Sequence, residues 1–277
     1  EVWAEDLAAK SDSARKIYTA HLARFLKWLG TDAEGFYRMH LDAIRSDDPR
    51  DRFAVGRKLA VFLKVLEGEG LAAATRMQTV KAVRSFFRSQ GLPPPEMNGG
   101  KPRVYYEGQR IVETDELRLM HDAFSSLRNR ALLLTAKDSG LRVSDLIRLD
   151  VGDLGGALGA GMEYTLIRLR QRKTGAPAKP ILGPESISAL RKYIDLRRRR
   201  GEVISDRSPL FILVPRKGKV SRLTRLAASM IFIRVAGKLG LKKVSIHSLR
   251  KFNLTNLQAG GVPETWIAII QGRRIND

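Results

Sequence analysis

Apolar residues in the first hundred positions recur at spacings of three and four, the signature of helices with one buried face. In "SDSARKIYTAHLARFLKWL", residues 11 to 29, Tyr18, Leu22, Phe25 and Leu29 form one stripe. Ser11 or Ser13 stands where an N-cap is needed, and Gly30 supplies the stop. "VGRKLAVFLKVLEGEG" predicts a second helix, with Val55, Leu59, Phe62 and Leu66 on its inner face. "ATRMQTVKAVRSFFRSQG" predicts a third, with Val80, Val83 and Phe87 inside and Lys81, Arg84 and Arg88 along another face. The pattern predicts a small helical bundle over residues 1–92.

The periodicity then breaks. "GLPPPEMNGGKPRVYYEGQR" holds a run of three prolines and a glycine pair, which exclude a helix, so 93–110 reads as a linker and 111–277 as a second domain. There "ETDELRLMHDAFSS", with a capping start at Thr114, and the strongly apolar "LRNRALLLTAKDSG" predict two helices. "EYTLIRLR" alternates and is rich in β-formers, so it predicts a strand. "QRKTGAP" turns and "KPILGP" returns as a second strand. "ESISALRKYIDLRRRRG" predicts a helix with a basic tail, "PLFILV" a buried extended segment and "TRLAASMIFIRVAGKLG" a further helix. The expected fold is mainly α, or α+β, with one small antiparallel sheet.

"IHSLRKFNLTNLQAGG", residues 246 to 261, predicts a helix with an anomaly. At ~100° per residue, His247, Arg250, Leu254 and Leu257 share one side, while Ser248, Lys251 and Thr255 point away. An arginine centred on an apolar face requires an anion, because an unpaired buried charge is costly.

Charge narrows the identity of that anion. The chain of 277 residues has a formal net charge of +21. Residues 1–100 carry 16 basic and 13 acidic side chains, and the remainder 34 and 16. An excess of this size concerns partners, and nucleic acid is the first candidate, ahead of an anionic membrane surface. No run of 18 apolar residues offers a membrane span. The absence of cysteine excludes disulfides, thiolate metal sites and a cysteine nucleophile. The four histidines, at 21, 40, 121 and 247, lack metal-binding spacing.

Three polar signals carry candidate chemistry. In "SGLRVSDLIRL", Arg142 follows the helix end at Gly140, Ser144 is placed to cap the next helix, and Asp145 sits in its first turn. Lys173 occupies the tip of the expected hairpin, in "RKTG". His247 and Arg250 meet at i, i+3 on one helix face. Singly, these read as a capped turn, a solvated lysine, and a histidine beside a carboxylate-paired arginine. Together they describe a cationic pocket suited to a phosphate diester. Paired guanidiniums bind phosphate oxygens and stabilise a pentacoordinate transition state, and a lysine protonates the leaving alkoxide. No Asp/Glu cluster suited to Mg²⁺ is evident, so the chemistry reads as metal-free and without cofactor.

At this point a resemblance becomes specific. "SGLRVSDLIRLDVGDL" resembles the first signature box of the tyrosine recombinases, or phage integrase family, and "HSLRKF" the second, which carries His-x-x-Arg. "GGVPETWIAIIQG" is similar to the helix that follows, leading to a Gly-His pair. Residues 1–92 resemble the family's SAM-like core-binding domain, and the linker falls where theirs does. The resemblance implies that Arg142 and Arg250 hold a scissile phosphate, Asp145 supports the pocket, Lys173 is the hairpin general acid, and His247 assists proton transfer or binds a phosphate oxygen. It also implies double-stranded DNA as partner, two domains clamped on the duplex, a homo-tetramer on DNA and a monomer in isolation. The DNA-associated, cytoplasmic location would be that of the host cell for a viral element. Lys81, Arg84 and Arg88 are candidate backbone contacts, as are Arg197 and Arg198 in the basic run at 197–200.

Two departures accompany it. Arg273 follows Gly272 where the family usually has His or Trp; an arginine still donates to phosphate, so Arg273 joins the candidate set. The family's nucleophilic tyrosine stands shortly beyond that position, whereas the six tyrosines here, at 18, 37, 105, 106, 164 and 193, all precede the second box. The expectation is a site-specific recombinase of a mobile element or virus, its nucleophile beyond Asp277, and this chain inactive in cutting without it. A non-catalytic DNA-binding protein on the same scaffold and a type IB topoisomerase-like enzyme are the alternatives.

Overall fold

The computed structural model describes residues 2–97, 99–103, 110–159, 161–213 and 220–273. The chain divides into two compact units, Glu1–Glu107 and Gly108–Asp277.

The first unit is a bundle of five helices: α1 (Val2–Ala8), α2 (Asp12–Leu29), α3 (Ala33–Arg45), α4 (Ala54–Gly68) and α5 (Ala73–Ser89). Ser11 caps α2, its hydroxyl accepting from the Ala14 amide at 3.3 Å. The predicted stripes meet in an aromatic core, where Phe25, Phe36 and Phe87 are fully buried. Edge-to-face packing of Phe25 on Phe36, at 5.5 Å and 90°, adds to simple area burial. Two helices, α1 and α3, were absent from the sequence reading. The buried line of α3 is Phe36, His40 and Ala43, on a segment whose amphipathic pattern is strong and was readable from the sequence. The proline segment does not hang free of the bundle. Pro93 turns its carbonyl to the buried His40 Nε2 at 2.8 Å, and Leu92 and Met97 pack on the core.

The second unit is built around α7 (Leu127–Ser139), buried on nearly every side by α9 (Pro184–Arg199), α11 (Ile246–Ala259) and the strand β4 (Ile181–Leu182). Also present are α6 (Thr114–Ala123), α8 (Val143–Leu146), α10 (Arg225–Lys238) and α12 (Glu264–Gln271). The expected strand 163–170 is two short pieces, β1 (Thr165–Leu166) and β2 (Leu169–Arg170). β1 pairs antiparallel with β4, Thr165 opposite Leu182, and β2 with β3 (Pro177–Ala178), Leu169 opposite Ala178. The result is the predicted hairpin, with residues 171–176 as its turn. Leu210 and Phe211 are fully buried in the extended segment, bridged at Pro209 to Asp150 and at Ile212 to Arg222. Arg110, read as the end of the linker, belongs to this unit: it pairs with Glu116 and donates to the Lys242 carbonyl at 3.3 Å.

Candidate active site

The site begins where α7 ends. Gly140 closes α7 in the left-handed conformation, φ 56°, and a Cβ there would lie 2.4 Å from Asn253 Oδ1. Glycine is therefore required by both backbone and space. The chain turns through Leu141 into α8, whose N-cap is Arg142; Ser144, the expected cap, lies inside the helix, and no side chain caps it. This turn puts Arg142 and Asp145 on one side of the α7 terminus.

Helix α11 enters with a Ser245–Ser248 capping box, which fixes its first turn and brings His247 and Arg250 to the same turn. The buried face of α11 differs from the expected one. It comprises Ile246, Leu249, Arg250 and Asn253, flanked by Ser248 and Phe252, while His247 is exposed and Leu254 and Leu257 are half-buried. The wheel was correct for Arg250 and rotated for its neighbours, because a buried amide and hydroxyl count as polar in any hydropathy pattern.

Arg250 is 7% exposed, and it faces carbonyls where the sequence suggested a carboxylate or a phosphate. Its Nη1 donates to Gly140 O at 2.6 Å and its Nη2 to Gln271 O at 3.0 Å. Those are the terminal carbonyls of α7 and α12, the negative ends of two helix dipoles. A guanidinium has more donors than two carbonyls consume, and the remainder are available to a substrate oxygen. Burial lowers its pKa to about 10, with the charges of Arg142 and Arg273 adding to the shift and Asp145 opposing it. It stays charged at neutral pH, in a field that favours an incoming anion.

The neighbours repeat the theme. Arg142 Nη1 and Arg273 Nε are buried donors without a partner, each of which costs about 1–3 kcal/mol if left so. Arg273 is held by Glu264, 2.6 Å from its Nη2, so its other edge is left over. Asp145, with its side chain wholly buried, accepts from the Arg172 amide at 2.9 Å and thereby ties α8 to the hairpin. Lys173, next in sequence, is exposed at the hairpin turn. His247, although exposed in part, has its pKa pushed below the ordinary imidazole value, first by the desolvation its neighbours impose and then by the charges of Arg250, Lys251, Arg142 and Lys173. These four cations therefore lie close enough to His247 to act on its ring. All six candidates, Arg142, Asp145, Lys173, His247, Arg250 and Arg273, thus gather in one cationic cluster.

Sequence reasoning passed over a set of buried amides. Gln171, Asn253 and Gln271 are 1%, 7% and 1% exposed. Gln271 Nε2 donates to Asn253 Oδ1 at 2.7 Å and to Arg250 O at 3.1 Å, and Asn253 Nδ2 donates to Asp138 O at 2.7 Å. The signal was a Gln directly before Gly272 and an Asn three residues after Arg250, both easily taken for surface.

Outside the pocket, Lys81, Arg84 and Arg88 lie exposed along α5. Arg198 is exposed and 3.2 Å from Asp195. Arg197 corrects the reading of the basic run. It is 4% exposed, bonded to Glu202 through Nε at 2.8 Å and Nη2 at 2.5 Å, and its Nη1 donates to Pro209 O and Leu210 O. Its donors are spent inside the protein, so it does not contact DNA.

The phage integrase family profile matches residues 109–272. Tyrosine recombinase XerA of Pyrococcus horikoshii is 23% identical over 96% of this chain and 80% of its own. Tyrosine recombinase XerC of Herpetosiphon aurantiacus is 28% identical over 72% of this chain and 65% of its own. Among solved structures, the Tn1549 transposon integrase in complex with circular intermediate DNA superposes with TM-score 0.62 at 16% identity, over 93% of this chain and 92% of that one. A lambda integrase dimer bound to a COC' core site gives 0.57 at 18% identity, over 93% and 95%. A family match across more than half of the sequence, on the segment that builds the arginine pocket, shows that the chain belongs to the phage integrase family of tyrosine recombinases.

Proposed function

We propose that the second unit performs site-specific DNA strand transfer and that Arg142, Arg250 and Arg273 hold the scissile phosphate. The observation that carries this is the trio of guanidiniums around one space, two of them with buried N–H groups that no protein atom accepts. Phosphoryl transfer concentrates charge on the non-bridging oxygens, and fixed donors in a partly dry site stabilise it most. A tyrosine oxygen attacks phosphorus as its proton passes to solvent or to His247, the bond to the 5′ oxygen breaks, and Lys173 Nζ gives that oxygen its proton. His247 donates to a non-bridging oxygen or assists the proton transfer. Religation runs the sequence backwards, with a 5′ hydroxyl displacing the tyrosine. Neither described tyrosine of the second unit faces the pocket: Tyr164 is exposed beside β1, and Tyr193 is buried with its hydroxyl accepting from Ile212 N.

In this reading the bundle is the core-binding domain, with Lys81, Arg84 and Arg88 on the phosphate backbone. The active species is a homo-tetramer on double-stranded DNA, formed from monomers, acting at the DNA of the cytoplasm. No helix among the described residues is long and apolar enough to cross a membrane.

The test is covalent capture. The product of the gene's full reading frame is incubated with nicked duplexes drawn from its flanking locus. A protein–DNA adduct that survives denaturation, and is lost in Arg250→Ala, is expected. Tight binding with no adduct on any duplex would favour a non-catalytic scaffold, and relaxation of supercoils without sequence preference would favour a topoisomerase.

A further inference from the structure

The hairpin that carries Lys173 is short: β2 and β3 have two residues each, and the turn residues Lys173 and Arg172 are exposed. So small a ribbon has little stability of its own. An acid on it needs another source of order if it is to meet the leaving oxygen within the ~0.5 Å that catalysis tolerates. Asp145 holds the Arg172 amide from α8, and a second side chain, at the base of the turn, adds to that order. Gln171 closes the turn with its backbone, its amide donating to Ala176 O and its carbonyl accepting from Gly175 N, both at 2.9 Å. Its carboxamide points the other way, into the protein. Nε2 donates to Gln271 O, the same carbonyl that receives Arg250 Nη2, and Oε1 accepts from Thr174 Oγ1 at 3.4 Å, beside Lys173.

A second observation concerns the space. Gly272 has φ +61°, and a Cβ built on it would lie 2.5 Å from Gln171 Nε2 and 2.7 Å from Cδ. The carboxamide occupies the place of the missing side chain. The glycine between Gln271 and Arg273 is thus the socket of Gln171 as well as the C-cap of α12.

We propose that Gln171 is a positioning residue for Lys173: it locks the hairpin to the carbonyl that also anchors Arg250, so the proton donor and the phosphate-holding guanidinium are registered against one atom. This rests on the strand-transfer reading. Gln171 is buried and does not touch DNA, so its effect must run through the hairpin.

The experiment separates proton donation from everything else. Full-length wild type and the variants Gln171→Ala, Gln171→Glu, Lys173→Ala and Arg250→Ala are offered two duplexes. One has an ordinary scissile phosphate, and the other has sulfur in place of the bridging 5′ oxygen. A thiolate leaves without a proton, the thiol pKa being about 8.5 against about 16 for water. On the ordinary duplex both Gln171 variants should slow adduct formation by on the order of 10²-fold, the scale of a lost general acid. On the sulfur duplex they should return to near the wild-type rate, as Lys173→Ala does, while Arg250→Ala stays slow. The Glu variant keeps the volume but, as the carboxylate, presents no donor to Gln271 O, and with its rate followed at about pH 8 it covers the case in which the Ala variant fails to fold. Wild-type rates on the ordinary duplex, or equal loss on both, would overturn the proposal. If wild type forms no adduct on either duplex, the strand-transfer reading itself falls, and this inference with it.

Discussion

Arg250 and Arg197 are both buried arginines, and what each guanidinium faces decides its role. Arg197 meets a carboxylate, two carbonyls and the Tyr193 ring 5.5 Å away, so every edge is satisfied. Arg197→Ala should cost about 3–5 kcal/mol, read as a shift in urea midpoint, because Glu202 is left unpaired. Arg198→Ala, which breaks only a surface pair, should stay within about 1 kcal/mol. Histidine gives the complementary test. His21, His40 and His247 all sit below the ordinary imidazole value of 6.5, desolvation being the leading cause in each. A lowered folded value means that the unfolded state takes the proton first. Their contribution is therefore intact above 6.5 and is lost as pH falls toward the folded values. Urea stability should drop between about pH 7.5 and 5.5. At His247 a bound phosphate reverses the sign: it favours the imidazolium, raises the pKa, and makes DNA binding take up a proton. An NMR titration of the His247 ring with and without duplex should show that rise. An unmoved pKa would remove His247 from the phosphate's surroundings.

At the scale of elements, the site is a meeting of helix ends. The carbonyl termini of α7 and α12 converge on Arg250, and Asn253 and Gln271 cross-brace them. Asn253→Leu removes the donor to Asp138 O and the acceptor for Gln271, and should destabilise the second unit by about 2–4 kcal/mol. A smaller loss in thermal and urea melts would mean that solvent replaces the amide. This scale also explains what was legible beforehand. The α2, α4 and α5 stripes, Gly140 as a stop, the hairpin turn and the cationic set could be read, because repeating apolar spacing and clustered charge both leave marks in sequence. Asn253, Gln171 and Gln271 left none, since a buried amide is polar by composition and inward only by tertiary context. The Ser144 cap failed for a related reason: Arg142 takes the N-cap place through backbone geometry alone.

At the scale of the whole molecule, the net charge of +21 separates affinity from chemistry. Each phosphate neutralised on duplex DNA adds about 0.9 to the slope of log K against log salt. The exposed α5 stripe and the arginine pocket should contribute differently to that slope. Replacing Lys81, Arg84 and Arg88 together by alanine should lower it by about 2 to 3 units and weaken binding across all sequences alike. Replacing Arg250 alone should change the slope by no more than about one unit while abolishing the covalent adduct, because the proposed role places it at one phosphate. Fluorescence anisotropy over a salt series measures both. A triple variant with an unchanged slope would make the stripe a solvated helix face. A large slope change from Arg250→Ala would mean that the pocket holds more of the duplex than a single phosphate.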